Sequence, residues 1–406
     1  MVITHYVSDG HLLASYAGND FHIATDGYHH TGDGHSMSEI AVMCKGWHQK
    51  TTESPSEKNL KNMKIWARRL LFASPFVITV SVLWVLMLSS LHDVHHKGFS
   101  SGPQRRSITL KDDMFTYHLN LTQHEVEFPH LQRYNCTLLV NKPGYCHFLG
   151  GKQLLLLALK SHPASSDRRA ALRQTWAADS NALGYQVRPL FLMAADPSHG
   201  RMMLVKEEVK AFHDILLWDF TESHHNLSLK ERCFLEWLHH HCKEVDFIFK
   251  GDDDMLVNPD ALVKYVKTVG NASCCLHGAV QHHSVVVRSG KYGVTHSLFP
   301  LPKYPLFLSG GGFLVPGAAV TALYHTSTKL PVFPLDDVYL GILALAANIE
   351  LRHSPLFFVF GLKYETCPYK AALAVHGVAP DDLLKIWKEM QETECEPIFK
   401  WKKPMI

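Results

Sequence analysis

Residues 245–266 read VDFIFKGDDDMLVNPDALVKYV, and this segment carries the strongest indication of fold and chemistry in the chain of 406 residues. Its first part, VDFIFK, is an apolar run of strand length. Three carboxylates, Asp252, Asp253 and Asp254, follow soon after this run. Open α/β sheets bind ligands beyond the carboxyl ends of their strands. The segment therefore predicts a buried strand that ends at an acidic ligand site.

Short apolar runs alternate with amphipathic stretches on both sides of this segment. The runs at 153–160 (QLLLLALK) and 187–194 predict further strands. The stretches 167–176 and 227–242 have the spacing of helices. This alternation predicts an α/β domain with a largely parallel sheet.

The acidic triplet indicates a metal site. Adjacent carboxylates repel one another, and a bound cation would offset their charge. In an extended segment, Asp252 and Asp254 project to one side while Asp253 points away. Oxygen ligands of this kind suit Mn²⁺ or Mg²⁺. We expect one side chain of the pair to bind a cation and the other to reach a ribose or a metal-bound water; a solvated turn before Pro259 is the alternative.

A second pair of acids, Asp336 and Asp337, precedes the apolar helical stretch in PLDDVYLGILALAAN. Capping of the helix explains one of them. The other would be free to face a cleft, where a carboxylate can act as general base towards a substrate hydroxyl. Capping alone is the alternative interpretation.

Two further segments could contribute to the same site. In YPLFLSGGGFL, Gly310, Gly311 and Gly312 permit close backbone approach or positive φ, which a substrate-binding loop can exploit. In RRAALRQTW, a helix would place Arg169 and Arg173 on one face, where they could meet a diphosphate. A tight turn and an ordinary surface helix are the respective alternatives.

One apolar segment indicates a membrane anchor. Residues 70–91 (LLFASPFVITVSVLWVLMLSSL) contain no charged residue and are long enough to cross a bilayer as a helix. Basic residues crowd the preceding flank, which predicts a cytoplasmic N-terminus; a core helix and a cleaved signal peptide are the alternatives. We expect a largely disordered cytoplasmic tail (1–69), the signal-anchor helix, a lumenal stem (92–134) and a catalytic domain (135–406). Translation that starts at Met63 instead of Met1 is an alternative expectation.

Sequons and cysteines beyond the apolar segment agree with a lumenal, oxidising environment. The N-glycosylation sequons begin at Asn120, Asn135, Asn226 and Asn271. Eight of the nine cysteines follow residue 91. An even number in such a compartment indicates disulfides, although spacing does not define their connectivity. We expect Cys136 to pair with Cys146, and Cys367 with Cys395.

The overall charge argues against nucleic acid as a partner. The formal net charge is only +2, so the chain lacks the basic excess that such binding requires. With 46% apolar residues, it can bury a large catalytic core.

Taken together in this order, the motifs resemble those of the β-1,3-glycosyltransferases. This family includes β-1,3-galactosyltransferases, β-1,3-N-acetylglucosaminyltransferases and, more distantly, the fringe enzymes. The resemblance extends over about residues 135–395. The matching pieces are RRAALRQTW from Arg168, WDFTESHHNLSLKE from Trp218, FKGDDDMLVN from Phe249, YPLFLSGGGFL from Tyr304 and LDDVYLG from Leu335. The form KGDDD is most similar to the N-acetylglucosaminyltransferase branch.

The resemblance implies a fold and a set of site residues. The fold would be of the GT-A type, in which a Rossmann-like nucleotide-binding region with a mostly parallel sheet continues into an acceptor region. Asp254 would be the principal Mn²⁺ ligand, assisted by Asp252 and Asp253 at the metal and ribose, with His376 as a further ligand. Asp337 would be the catalytic base, with Asp336 as its substitute. The donor pocket would be lined by Arg168, Arg169, Arg173 and Trp176.

The resemblance also implies an activity and a location. The protein would be a type II Golgi membrane enzyme that transfers N-acetylglucosamine from UDP-GlcNAc, with inversion, in β-1,3 linkage to a galactose-terminated glycan on a glycoprotein or glycolipid. Homo- or hetero-oligomers in the Golgi are compatible with this expectation. The alternatives are a galactosyltransferase that uses UDP-Gal, an inactive sugar-binding relative, and a metal-dependent phosphohydrolase.

Overall fold

The computed structural model describes residues 107–147, 153–270 and 275–395. The expected cytoplasmic tail, Met63, the apolar segment 70–91 and the sequon at Asn271 therefore lie outside the described residues. Within them, no helix is both long enough and apolar enough to cross a membrane.

Strands and helices alternate along most of the described chain. The strands are β1 (Ser107–Lys111), β2 (Thr116–Asn120), β3 (Leu138–Val140), β4 (Gln153–Lys160), β5 (Ser180–Ala182), β6 (Tyr185–Ala195), β7 (Ile215–Thr221), β8 (Phe247–Asp252), β9 (Met255–Val257), β10 (Leu276–Gln281), β11 (Phe307–Pro316), β12 (Leu351–His353), β13 (Phe357–Phe358) and β14 (Ala374–His376). The helices are α1 (Leu121–Glu127), α2 (Pro129–Arg133), α3 (Ser166–Arg173), α4 (His199–Phe212), α5 (Leu227–His241), α6 (Pro259–Val269), α7 (Gly317–Ser327), α8 (Asp336–Ala346), α9 (Thr366–Ala371) and α10 (Pro380–Glu392). A short 3₁₀ turn, His224–Asn226, precedes α5.

A sheet of nine strands forms the centre of the domain. Its order is β12-β10-β11-β8-β4-β6-β7-β3, and β5 pairs with β6. The strands β8, β4, β6 and β7 run parallel, whereas β11 is antiparallel to both β8 and β10, and β3 is antiparallel to β7. The α/β class is confirmed, but the sheet is mixed rather than mostly parallel. The parallel strands are the ones that crossover helices connect, as parallel pairing requires.

Two hydrophobic layers cover the faces of this sheet. Successive side chains of β4 point to opposite faces, so Leu154 and Leu156 join one core cluster while Leu155 and Leu157 join the other. Helices α5, α7 and α8 pack on the first face, and α3, α6 and α10 on the second. This burial on both faces explains why the run QLLLLALK is almost continuously apolar.

Residues 107–133 belong to the folded domain and not to an extended stem. β1 and β2 form an antiparallel pair, and α1 and α2 follow. Tyr117, Leu119 and Leu131 are buried in the first core cluster. The expected domain start at 135 is therefore too late, because the polar residues of this segment conceal the few apolar side chains that fix it to the core.

Three disulfides are present among the described residues. Cys367 bonds to Cys395, as expected. The expected bond between Cys136 and Cys146 is wrong: Cys136 bonds to Cys233 and Cys146 bonds to Cys242. Cys136 and Cys146 lie on either side of strand β3. Cys136 bonds to a residue within α5, and Cys146 bonds to the residue that follows this helix. The two bonds attach the edge of the sheet to the helix that covers it.

Candidate active site

The acidic segment lies where two parallel strands end. β4 and β8 pair in parallel, and their last residues, Lys160 and Asp252, are opposite each other. Opposite residues on neighbouring strands point to the same face, so Nζ of Lys160 lies 3.0 Å from Oδ1 of Asp252. The chain then turns through Asp253 and Asp254 into β9. The acids thus lie at the carboxyl edge of the sheet, where the sequence predicts a ligand site.

Asp252, Asp254 and His376 form a group whose ligand atoms all lie within 4.8 Å of one another. His376 reaches the acids because β14 pairs with β9, which places His376 opposite Met255. The backbone N–H of Gly377 also donates to the carbonyl of Asp254 at 2.9 Å. Residues distant in sequence are thereby held together by backbone pairing.

This group fits a divalent cation. Oδ1 of Asp254 is buried and lies 3.4 Å from Nε2 of His376, yet it accepts no hydrogen bond from the described residues. A buried carboxylate oxygen without a partner is unfavourable. Carboxylate oxygens are ligands that Mn²⁺ and Mg²⁺ prefer, and imidazole is a common metal ligand. A bound cation would satisfy the unpaired oxygen.

Asp253 is not part of the candidate metal-binding group formed by Asp252, Asp254 and His376. Its carboxylate accepts a hydrogen bond from Oγ of Ser161 at 2.7 Å. Burial, together with the charges of Asp252 and Asp254, raises the pKa of Asp253. Nη1 of Arg168 lies 3.5 Å from both Asp253 and Asp254 and is partly exposed. Arg168 is therefore the predicted donor-pocket arginine that lies beside the acids.

The structure gives Arg169, Arg173 and Trp176 partners inside the protein, and Nη1 of Arg169 donates to Oγ of Ser161, the hydroxyl that binds Asp253. Arg169 and Arg173 do share one face of α3, but both bind Glu208 of α4, and Arg173 also binds Asp214. Trp176 is buried, and its Nε1 donates to the backbone of β9. These three side chains are bonded to partners inside the protein and therefore stabilise the fold. Neither arginine has a guanidinium fork that is open to a diphosphate.

Arg173→Ala is expected to lower the free energy of unfolding by about 3 kcal/mol, because the buried Asp214 loses its charged partner and the partly buried Glu208 keeps only Arg169. Arg168→Ala, on the same helix, is expected to change this free energy by less than about 0.5 kcal/mol and to weaken nucleotide binding instead. Denaturant unfolding and calorimetric nucleotide titration measure both effects. Equal stability of the two variants would contradict the structural role of Arg173.

A buried lysine connects the acidic segment to the second pair of acids. Nζ of Lys160 lies 3.0 Å from Asp252 and 2.8 Å from Oδ2 of Asp336. Burial alone would raise the pKa of Asp336, but Lys160 outweighs it and lowers this pKa to about 2. Burial, and then the Asp336 charge, raises the pKa of Asp337 to about 7. The pair thus combines a fixed carboxylate with one that can accept a proton near neutral pH.

Two adjoining cavities meet at these residues. One, of about 400 Å³, is lined by residues 252–254 together with Ser161 and Glu222. The other, of about 180 Å³, is lined by Asp337 and His376, among others. The residues that line both cavities are Lys160, His224, Leu227 and Asp252. A ligand that extends through both would pass from the candidate metal-binding group to Asp337.

Glycine is favoured at positions 311 and 312 of β11 for different reasons. Gly311 lines it, and a Cβ there would come within 3.3 Å of the His376 ring. Gly312 has a φ of +117°, and a Cβ there would come within 2.6 Å of Met255. The predicted close approach is therefore present at both positions, but of the two only Gly311 lines the cavity.

Lys160 and His224 are cavity residues that the sequence patterns do not identify. For Lys160 a signal existed, because a lysine that closes a continuously buried strand requires a charged partner. For His224 no local signal exists, because its position at the junction of the cavities depends on where α5 begins relative to the sheet.

The fold and the site define an α/β protein with a polar ligand cleft at the carboxyl edge of its sheet. Residues 167–355 match the family model described as Galactosyltransferase. Over 278 residues, the chain is 33% identical to UDP-GlcNAc:βGal β-1,3-N-acetylglucosaminyltransferase 9 of Bos taurus, covering 62% of this chain and 69% of that protein. Over 253 residues, it is 30% identical to β-1,3-galactosyltransferase 5 of Homo sapiens, covering 60% and 81%.

Among solved structures, the chain is similar to a glycosyltransferase involved in the glycosylation of the major capsid of PBCV-1. The TM-score is 0.33 and the identity 12%, covering 57% of this chain and 98% of that one. The sequence relatives show that the chain belongs to the β-1,3-glycosyltransferase family, as its motifs predict. The expected class of enzyme, a UDP-sugar-dependent hexosyltransferase, is thereby confirmed.

Proposed function

We propose that this protein transfers N-acetylglucosamine from UDP-GlcNAc, with inversion, to the 3-hydroxyl of a galactose-terminated glycan on a glycoprotein or glycolipid. One observation carries the proposal: the carboxylate–histidine group and Asp337 line two cavities that have four lining residues in common. A donor in one cavity and an acceptor in the other would meet at their junction. We also propose that the domain is of the GT-A type, which its mixed sheet and acidic carboxyl edge support.

Asp252, Asp254 and His376 would hold Mn²⁺, or Mg²⁺, on the donor side. A divalent cation there supplies positive charge that stabilises a diphosphate leaving group. Arg168 adds a further positive charge beside the acids. Asp253 is not one of these proposed ligands. It accepts a hydrogen bond from Ser161 and would contact the ribose of the donor. These residues bind and orient the donor.

Asp337 would act as the base on the acceptor side. Its raised pKa leaves it able to take the proton of an acceptor hydroxyl near neutral pH. Lys160 keeps the neighbouring Asp336 ionised, and this charge contributes to the raised pKa of Asp337. The deprotonated hydroxyl then attacks the anomeric carbon, and the bond from this carbon to UDP breaks as the new glycosidic bond forms. This single displacement releases UDP and converts an α-linked donor into a β-linked product.

A donor screen tests this proposal. The full-length protein in detergent, with Mn²⁺ and a galactose-terminated acceptor, is expected to release UDP faster from UDP-GlcNAc than from UDP-Gal. The similarity to a β-1,3-galactosyltransferase makes UDP-Gal the second candidate donor. Faster transfer from UDP-Gal would replace the first candidate with the second, and no acceptor-dependent UDP release from either would indicate an inactive sugar-binding relative.

We further propose a type II orientation in the Golgi membrane, with residues 70–91 as the anchor and the described domain in the lumen. Three disulfides support an oxidising compartment, and an exposed sequon at Asn135 supports access to glycosylation. A protease-protection assay on intact Golgi vesicles tests the orientation: digestion of the domain without detergent would contradict it.

A further inference from the structure

His224 and Leu227 lie at the junction of the two cavities. Of the residues that line both, Lys160 and Asp252 bind each other, so their charges are already compensated. His224 forms no ion pair with another described residue, and Leu227 is apolar. If the larger cavity binds the nucleotide and Asp337 accepts the proton, the sugar being transferred must lie between them, beside His224 and Leu227.

The His224 ring presents an unpaired polar atom in this place. Its Nε2 is buried and has no hydrogen-bond partner within the described residues. The ring packs edge-on against Tyr292, with the ring centroids 5.0 Å apart. A buried polar atom without a partner is unfavourable, so a ligand that reaches the junction gains by bonding to it.

The chemistry of the ring indicates which part of a ligand it receives. Burial, followed by the charge of Lys291, lowers the pKa of His224 to about 4, so the ring is neutral near neutral pH. A neutral imidazole suits an amide or hydroxyl better than a phosphate. Leu227 supplies partly exposed apolar surface at the same junction. A polar atom beside an apolar side chain is complementary to an amide that carries a methyl group.

We propose that His224 and Leu227 form the subsite for the 2-acetamido group of the transferred sugar, so that His224 is a donor-specificity residue. The amide bonds to the imidazole, and the methyl group packs on Leu227. This inference rests on the proposed function, because it assumes that the donor lies in the larger cavity and reacts next to Asp337. It names the physical basis on which an acetamido sugar is preferred to a plain hexose.

UDP-GlcNAc and UDP-glucose differ only at C2, so they isolate the acetamido contact. In calorimetric titrations of the full-length protein with Mn²⁺ and without acceptor, His224→Ala is expected to weaken UDP-GlcNAc binding about tenfold. The same variant should change the Kd of UDP-glucose and of UDP by less than about twofold. His224→Gln, which keeps a polar side chain, should recover part of the loss. His199→Ala, at an exposed histidine of α4, is the control and should change none of these values.

The outcomes separate failure of the subsite from failure of the proposed function. If wild-type protein prefers UDP-GlcNAc to UDP-glucose and His224→Ala keeps this preference, the subsite is wrong while the proposed donor stands. An equal loss for both sugars, or an equal effect of His199→Ala, also overturns the subsite. If wild-type protein shows no preference for UDP-GlcNAc in binding or transfer, both the subsite and the proposed donor are wrong.

Discussion

Asp337→Asn is expected to lower kcat for sugar transfer by about 10²- to 10⁴-fold, the range that general base catalysis contributes. Asparagine keeps the size and polarity of the side chain but cannot accept a proton from the acceptor hydroxyl. Because Asp337 is not in the candidate metal-binding group, the affinity for UDP in the presence of Mn²⁺ should remain within about twofold of wild type. Acceptor-dependent UDP release measures kcat, and calorimetry measures the affinity.

The pH dependence provides an independent test of this base. The raised pKa of Asp337, about 7, means that its carboxyl is protonated and inactive below that pH and ionised above it. Wild-type kcat should therefore rise with pH through about 7 and then level off. Asp337→Asn should remove this rise.

Asp382 supplies a matched control for the Asp337 variant. Like Asp337, it is the second aspartate of a pair in the first turn of a helix, but it is exposed on α10. Asp382→Asn should leave kcat and its pH profile unchanged. A normal kcat in Asp337→Asn, combined with a large loss in Asp336→Asn, would assign the base to the carboxylate that Lys160 binds and would contradict the separation of roles described above.

Local sequence patterns determine strand positions but not strand directions. β4 lies at 153–160, where the apolar run predicts it, and the run before the acidic triplet forms β8. The antiparallel direction of β11 depends on a connection instead. Residues 282–306 return from β10 to β11 without a helix, and this allows antiparallel pairing. No alternation within β11 itself could distinguish the two directions.

The predictions that differ from the structure concern residues whose contact partners are distant in the sequence. Helical spacing correctly placed Arg169 and Arg173 on one face, yet it could not show that Glu208 occupies that face. The same limit applies to Cys136 and Cys146, which are near each other in the chain but are joined to separate positions of another element. In both cases the answer depends on how α-helices pack on the sheet, and a local pattern carries no such information.

The candidate metal-binding group depends on local and on distant contacts. Alternation in an extended segment predicts that Asp252 and Asp254 lie together, but in the structure β8 ends at Asp252 and a turn brings Asp254 beside His376. His376 lies more than a hundred residues further along, and only the family resemblance indicated it. The pairing of β14 with β9 supplies the physical reason. Lys160, opposite Asp252 in the register, required the alignment of β4 and β8, which the sequence does not specify.

Asp254→Ala is expected to lower transfer by at least about a thousandfold, because the charge stabilisation supplied by a bound metal is worth several kcal/mol and each 1.4 kcal/mol is a factor of ten. Asp254 contributes the buried oxygen without a partner and contacts both His376 and Arg168. Unlike Asp337→Asn, this variant should also weaken UDP binding in the presence of Mn²⁺, and it should abolish the difference in UDP affinity between Mn²⁺ and a chelator.

Asp260→Ala is the control for this variant, since Asp260 is an exposed aspartate a few residues further along the same chain segment. It should retain both transfer and the Mn²⁺ dependence of UDP binding. Calorimetric titration of UDP with Mn²⁺ and with a chelator, on all three variants, separates donor binding from proton transfer. An equal loss of UDP affinity in Asp254→Ala and Asp337→Asn would show that the two aspartates do not have separate roles. Unchanged Mn²⁺ dependence in Asp254→Ala would show that the cation binds elsewhere, and the position of the donor in the larger cavity would then be wrong as well.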